Sequence, residues 1–342
     1  MFKTKIKNHL LFLISAVTVV LMFSNTTFAQ DQRWIIVGET QCFFMDYGAE
    51  TERELNFLTW PTQYGDNQHT LRMNGLWLGA RNFFDPVENK EKSVKVIGSG
   101  PRLPANHYTM IFPQSIKLIG RHSHPVVAVD NQTGTNNLLY DQVDDYDSNL
   151  PCDRMVVAEF KHSMGISVTR KVYGFTQPDH DNYFIQEYVF KNTDIYNENG
   201  DVHHQDLQDF WVYLCWRPAF AGVTSSGWTD QPAWGAFASE WGSSTLIHTF
   251  NVNSPEGMRG FYSYYGPTND SNHPLTPAED WGCPDHLETG VLGSAKYLGG
   301  VVLFASNPNN HTVDDPSQPA TDAYIGSDGV PMETNVSQYD IS

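Results

Sequence analysis

The sequence predicts an all-β protein: an antiparallel β-sandwich with long loops, in its largest form a two-sheet supersandwich. Three observations carry that expectation. Residues 155–160, 166–175, 183–191 and 207–216 read as four strands in succession, rich in β-branched and aromatic side chains. Further short strand candidates recur along the chain, separated by Gly, Pro, Asn and Asp turns. There is no heptad and no internal repeat, and only 50–58 has a pattern compatible with a helical turn.

The 183–191 segment is the clearest strand, bracketed by polar turn residues at 176–182 and 192–194. Split by period two, it places Phe184, Tyr188 and Phe190 on one face and Ile185 and Val189 on the other. Apolar residues on both faces predict a strand covered on both sides, in the middle of the sandwich.

In chain order, Lys3, Lys5 and Lys7 precede an apolar run at 10–23, and Thr27-Phe28-Ala29 supplies the small residues of a cleavage site. That arrangement predicts a signal peptide over 1–29. The run is short of the roughly 20 residues that a membrane helix needs, and no cysteine follows it directly to carry a lipid. The expected destination is secretion or the cell surface, with no transmembrane segment after cleavage. An N-terminal β region, 30–115, holds strand candidates at 34–37, 42–45, 76–81 and 93–98. The main sandwich, 116–305, adds 116–120, 126–129, the four-strand block with a tight turn at Asn199-Gly200, 259–265 and 297–305. From 306 to 342, Asn, Asp, Pro, Ser and Thr dominate, which predicts an extended or disordered tail.

The formal net charge is −18, and cleavage would remove three lysines and no carboxylate. That balance argues against nucleic acid as a partner, since phosphate backbones call for clustered Lys and Arg. It suits a soluble extracellular surface or one that binds cations. Cys42, Cys152, Cys215 and Cys283 form no CxxC motif, and in an oxidising compartment an even count predicts at least one disulfide.

Two groups of motifs resemble a known kind of protein. They are Asn74-Gly75-Leu76-Trp77-Leu78-Gly79-Ala80 with Val96-Ile97-Gly98-Ser99-Gly100-Pro101-Arg102, and Glu187-Tyr188-Val189-Phe190-Lys191-Asn192-Thr193 with Tyr297-Leu298-Gly299-Gly300-Val301-Val302-Leu303. They look like patterns in large uncharacterised secreted bacterial β-rich proteins that carry a C-terminal cell-surface sorting module. The resemblance covers most of residues 70 to 305 and implies a structural role with no assigned catalytic residue. The sorting module has no counterpart in this sequence, so the tail is read as open to truncation.

Among the chemical signals, Asp145, Asp147 and Asn149 alternate as the first oxygen ligands of a calcium loop do, with Asp144 before them and Asp153 within reach. Leu150 and Val156 stand where an EF-hand needs Gly and Glu, so two readings are left, a looser Ca2+ site in a surface loop or a solvated acidic loop. His122 and His124 share a strand face at metal-ligand spacing but lack further ligands nearby, so ordinary histidines are the default. Trp228, Trp234 and Trp241 fall in loop-like sequence and could stack on sugar rings, or close the end of a core. Glu159, Glu187 and Asp209 are candidates for a glycosidase pair. No nucleophile elbow, zinc-protease helix or phosphate loop is present. The sequence therefore points to an exported structural or adhesive module without catalytic activity, with Ca2+ stabilisation through the 144–153 loop as an option. Its expected partners are cell-surface or matrix components, polysaccharide among them. The alternatives are a carbohydrate-binding module using the loop tryptophans and, behind it, a glycan-active hydrolase.

Overall fold

The structure, a computed structural model, describes residues 31–50, 58–62, 69–99, 110–123, 126–130, 132–135, 142–218, 245–250, 259–265, 284–285, 291–292 and 297–318. The first part of this span holds β1 (Gln32–Val37), β2 (Thr40–Met45), β3 (Leu58–Thr59), β4 (His69–Asp85), β5 (Lys90–Ser99), β6 (Ile111–Gly120), β7 (Val126–Val129) and β8 (Gln132–Thr135). Then come β9 (Asp145–Tyr146), β10 (Arg154–His162), β11 (Ile166–Gly174), β12 (Ile185–Asn192) and β13 (Gln208–Pro218). The fold is all-β, in several antiparallel sheets of which none closes into a barrel.

The first sheet runs β1-β2-β3-β4-β13, with β5 also on β4. Leu71 of β4 is paired with Leu58 on one side and Pro218 on the other, so β3 and β13 occupy opposite edges. The second sheet runs β12-β11-β10-β6-β9, antiparallel except for the short β6–β9 pair. One apolar core lies between them: Cys42, Phe44, Leu76 and Leu78 from the first sheet belong to one cluster with Leu118, Val156, Phe160 and Val168 from the second. Each such side chain contributes about 1.5–3 kcal/mol when fully buried.

Period-two patterning explains the second sheet. In β10 and β11 every other residue is buried without a break, from Arg154 to His162 and from Ile166 to Gly174. These are the sheet's central strands. The strand expected to be central, 183–191, is instead β12 at the edge. Phe184, Tyr188 and Phe190 pack on the core as their period requires, but the second apolar face is not covered, and Val189 is 50% exposed. Apolar residues on both faces therefore did not mark burial on both faces here.

The 76–81 candidate is the middle of a 17-residue strand. Leu76, Leu78 and Ala80 are buried, and Asn82 then takes a left-handed φ of 48°, after which Phe83 and Asp85 are buried. One bent residue thus shifts the phase of burial without ending the strand. Asp85 closes the β4–β5 hairpin: it accepts the amide N–H groups of Val87 and Glu88 and pairs with Lys95 at 2.7 Å. The Asn199-Gly200 turn is present, with Gly200 at φ 84° donating its N–H to the Asn197 carbonyl.

Cys42 and Cys152 are buried free thiols, which corrects the disulfide expectation for these two. Each sulfur donates to a nearby carbonyl, Cys42 to Phe43 and Cys152 to Arg154. The Cys215 side chain and Cys283 lie outside the described residues, as do the signal-peptide region and 51–57. Further on, Thr245–Phe250, Gly260–Tyr265 and Tyr297–Val301 form a three-stranded antiparallel sheet. The tail read as extended or disordered begins with a hairpin, Ser306–Asn307 with Asn310–Asp314, held by Arg259 at 3.0 Å from Asp314. No helix among the described residues is long and apolar enough to cross a membrane.

Candidate functional site

Among the described residues, a charged pair lies inside the sandwich and a set of charges lies on the outer face of its second sheet. Inside, Arg170 stands on β11 in phase with Val168 and Val172, on the buried side of the sheet. Its Nη2 donates to Glu50 Oε1 at 2.6 Å and to the Met45 carbonyl at 2.9 Å. The guanidinium also lies over the Phe44 ring, 5.4 Å from its centroid. Glu50 arrives in the gap between β3 and β5, in an isolated bridge to Asn74 of β4. Its Oε1 also accepts the Met45 N–H at 3.3 Å.

The turn at 46–49 delivers Glu50 there because Gly48 adopts φ 82° against the Phe160 ring. A Cβ at that position would lie 2.4 Å from the Phe160 Cζ. Burial alone would lower the Arg170 pKa, but the Glu50 carboxylate and the Tyr188 hydroxyl together outweigh it, and the net shift is upward. Burial, and then the Glu50 charge, push the Cys42 thiol well above its usual value. Both members of the ion pair are withdrawn from solvent, so the pair organises the core and cannot meet a ligand. Its signal was legible as the one charged residue in the apolar phase of 166–174.

Nearby, His162 is fully buried, with neither ring nitrogen hydrogen-bonded. Burial lowers its pKa to about 3, so the ring is neutral.

The acidic loop does not gather its oxygens. Asp144 is held by Arg33, Nε to Oδ2 at 2.6 Å, and accepts the Leu118 N–H at 2.7 Å. Burial would raise its pKa, but the Arg33 hydrogen bond and the Leu118 N–H lower it on balance. Asp145 accepts the Tyr146 N–H, Asp147 the Asn149 N–H, and Asp153 both the N–H and hydroxyl of Thr176. Among the described residues no three His, Cys, Asp or Glu side chains converge in a way that could hold a metal. Of the expected ligands, Asp145 and Asp147 are engaged in local turn contacts, Asp147 with the Asn149 N–H, while Asp144 and Asp153 bond residues distant in sequence, Arg33 with Leu118 and Thr176 respectively.

On the outer face of the second sheet, cross-strand register stacks residues into rows. One row is Glu187–Lys171–Val157–Lys117, the next Val189–Thr169–Glu159–Ser115. The row beyond carries Lys191, Ser167 and Lys161. Lys117, Lys161, Lys171 and Lys191 therefore share a face with Glu159, Glu187 and, at the β9 edge, Asp145, on a chain whose net charge is −18. Lys171 lies 3.6 Å from Glu187, and Ser115 donates to Glu159 at 3.2 Å. This lysine-bearing face was not singled out from the sequence, although alternation within 155–175 already places Lys161 and Lys171 on the polar side.

The carboxylates considered for catalysis stay apart. Glu159 and Glu187 stand on strands separated by β11, which puts their backbones about 10 Å apart sideways and further apart diagonally. A retaining glycosidase needs roughly 5 Å between carboxyl groups and an inverting one roughly 6.5–9.5 Å. Asp209 belongs to the other sheet, 3.1 Å from Arg81. His122 is exposed, while His124 and Trp228, Trp234 and Trp241 lie outside the described residues. An aromatic group that the structure does describe is Phe175, His180 and Tyr183, with Phe175 5.9 Å and His180 5.7 Å from the Tyr183 ring. Fold and site together define an all-β, sandwich-like protein whose charged outer sheet face is its best-described surface feature. Comparison with protein-family models, curated proteins and solved structures returned no significant match.

Proposed function

We propose that the chain is an exported structural or adhesive module, and that the outer face of its second sheet holds anionic polymers of a cell surface or matrix. The observation that carries this reading is the gathering of Lys117, Lys161, Lys171 and Lys191 on one flat face of an acidic protein. Strand spacing sets the lysine backbones about 10 Å apart within a row and about 13 Å apart between rows, a regular array that suits a repeating carboxylate or sulfate chain. The core ion pair and the sheet ladders supply a rigid support.

Purified protein applied to an immobilised acidic polysaccharide should be retained at low salt and released as salt rises, because exposed charges are screened over about 8 Å at physiological ionic strength. Lys117→Glu/Lys161→Glu should abolish retention with an unchanged circular dichroism spectrum. Equal retention of wild type and double variant would overturn the assignment to this face. The exposed ring group of Phe175, His180 and Tyr183 favours a second reading, stacking on a neutral glycan. That binding would be insensitive to salt and lost in Tyr183→Ala.

A further inference from the structure

We infer that β12 is a self-pairing edge, and that two copies of this chain join antiparallel across it into one continuous sheet. β12 is the terminal strand of the five-stranded sheet, and among the described residues no strand pairs with its outer side. An edge of this length presents a row of unpaired backbone groups, and proteins usually blunt such edges with charge. Here the charges are arranged symmetrically about one residue. Val189 is the centre; Glu187 and Lys191 flank it two positions either way, Tyr188 and Phe190 one position, Gln186 and Asn192 three.

An antiparallel twofold through Val189 therefore sets Val189 opposite its own copy. It also sets Glu187 opposite Lys191, Tyr188 opposite Phe190 and Gln186 opposite Asn192, each twice. Directly opposite residues share a face, so both Glu–Lys pairs form on the outer side and both aromatic pairs on the core side. The single-chain structure is already arranged for this. Val189 is half exposed at the centre. Glu187 is held in place by the Tyr173 hydroxyl at 2.8 Å and by Lys171. Tyr188 and Phe190 stack in parallel, 6.0 Å apart, extending the aromatic row of the core to the edge.

The sheet's other edge, β9, is only two residues long and has no such symmetry. The second copy would also continue the lysine rows across the twofold. The pairing itself does not depend on the polymer reading, because it rests on β12 alone.

The test is sedimentation velocity on the purified chain at about 10–100 μM, without any polysaccharide, a range suited to a small interface of this kind. Wild type should sediment as a dimer. Glu187→Lys sets Lys opposite Lys at both symmetric positions, and Lys191→Glu sets Glu opposite Glu. Each should weaken association by about tenfold or more. Combining the two restores opposite charges across the axis and should restore the dimer. As an independent measurement, Val189→Cys should form a disulfide-linked dimer on mild oxidation, because the two Cβ atoms at the axis stand about 5 Å apart. Thr169→Cys, one strand inward, should not. A wild type that stays monomeric across this range overturns the inference, and so does a dimer indifferent to both single reversals.

Discussion

Arg170 and Glu50, 120 residues apart in sequence, meet at 2.6 Å inside the sandwich with both side chains fully withdrawn from water. The pair ties β11 of one sheet to the edge of β4 in the other, through Glu50's bridge to Asn74. Desolvating two charges is expensive, and their attraction only offsets that cost when the geometry and the remaining hydrogen bonds are good. Losing one partner leaves the other charge buried alone. Glu50→Gln should therefore destabilise by about 3–5 kcal/mol, whereas Glu50→Leu/Arg170→Met should lie much closer to wild type. Urea unfolding of the three proteins checks this, and a double variant no better than Glu50→Gln would refute it.

His162 gives the fold an acid-sensitive group. Its pKa is about 6.5 in the unfolded chain and about 3 in the fold, because burial disfavours the charged ring. Between those values the unfolded state binds a proton that the folded state does not. Its contribution is complete above about pH 6.5, and stability then falls as pH drops toward 3, by about 1.4 kcal/mol per unit. Phe160 packs beside the ring at 5.6 Å, and His162→Phe keeps a ring there while removing the titration. Relative to that variant, wild type should lose about 1.6 kcal/mol between pH 6.5 and pH 5. Urea midpoints measured at both pH values give the comparison, and parallel pH dependence would sink the assignment.

The thiols of Cys42 and Cys152 should behave as core residues. Burial raises the Cys152 pKa to about 11 and the Cys42 pKa well above its usual value, so neither thiolate forms near neutrality. Without reductant, iodoacetamide should leave both unmodified in the folded protein and label both in urea. Mass spectrometry that finds either one bridged would contradict the structure.

Strand periodicity carried most of the fold. The alternation in 154–162 and 166–174 is unbroken, so their type, extent and buried face could all be derived from sequence. Sheet order could not, because the same pattern serves an edge strand and a central one. Residues 185–192 carry apolar side chains on both faces and still lie at the edge, where Val189 is exposed. The core pair was hidden for a different reason. Arg170 breaks the apolar phase of its own strand visibly, but its partner Glu50 comes from a distant turn whose path depends on Gly48 passing the Phe160 ring. The acidic loop shows the converse. Its spacing resembled a calcium loop, yet Arg33 and a backbone amide had no local signature that would have predicted their claim on Asp144.

That last contact yields a prediction of its own. Asp144 joins the first hairpin to β6, since Arg33 belongs to β1 and the Leu118 N–H to β6. Asp145 and Asp147 instead cap turns within a residue or two of themselves. If the loop is ordered by Arg33 rather than by a cation, removing Asp144 should cost more than removing its neighbours. Asp144→Ala should lose about 1–2 kcal/mol, combining a partly exposed ion pair with an amide left without its acceptor. Asp145→Asn and Asp147→Asn should each stay within about 0.5 kcal/mol of wild type, as surface changes usually do. Calcium at millimolar concentration should leave the melting temperature of all four proteins unchanged, because only an ion that binds the folded state raises it. A calcium-dependent rise seen in wild type and abolished in Asp145→Asn/Asp147→Asn would overturn this account and return the loop to the metal reading.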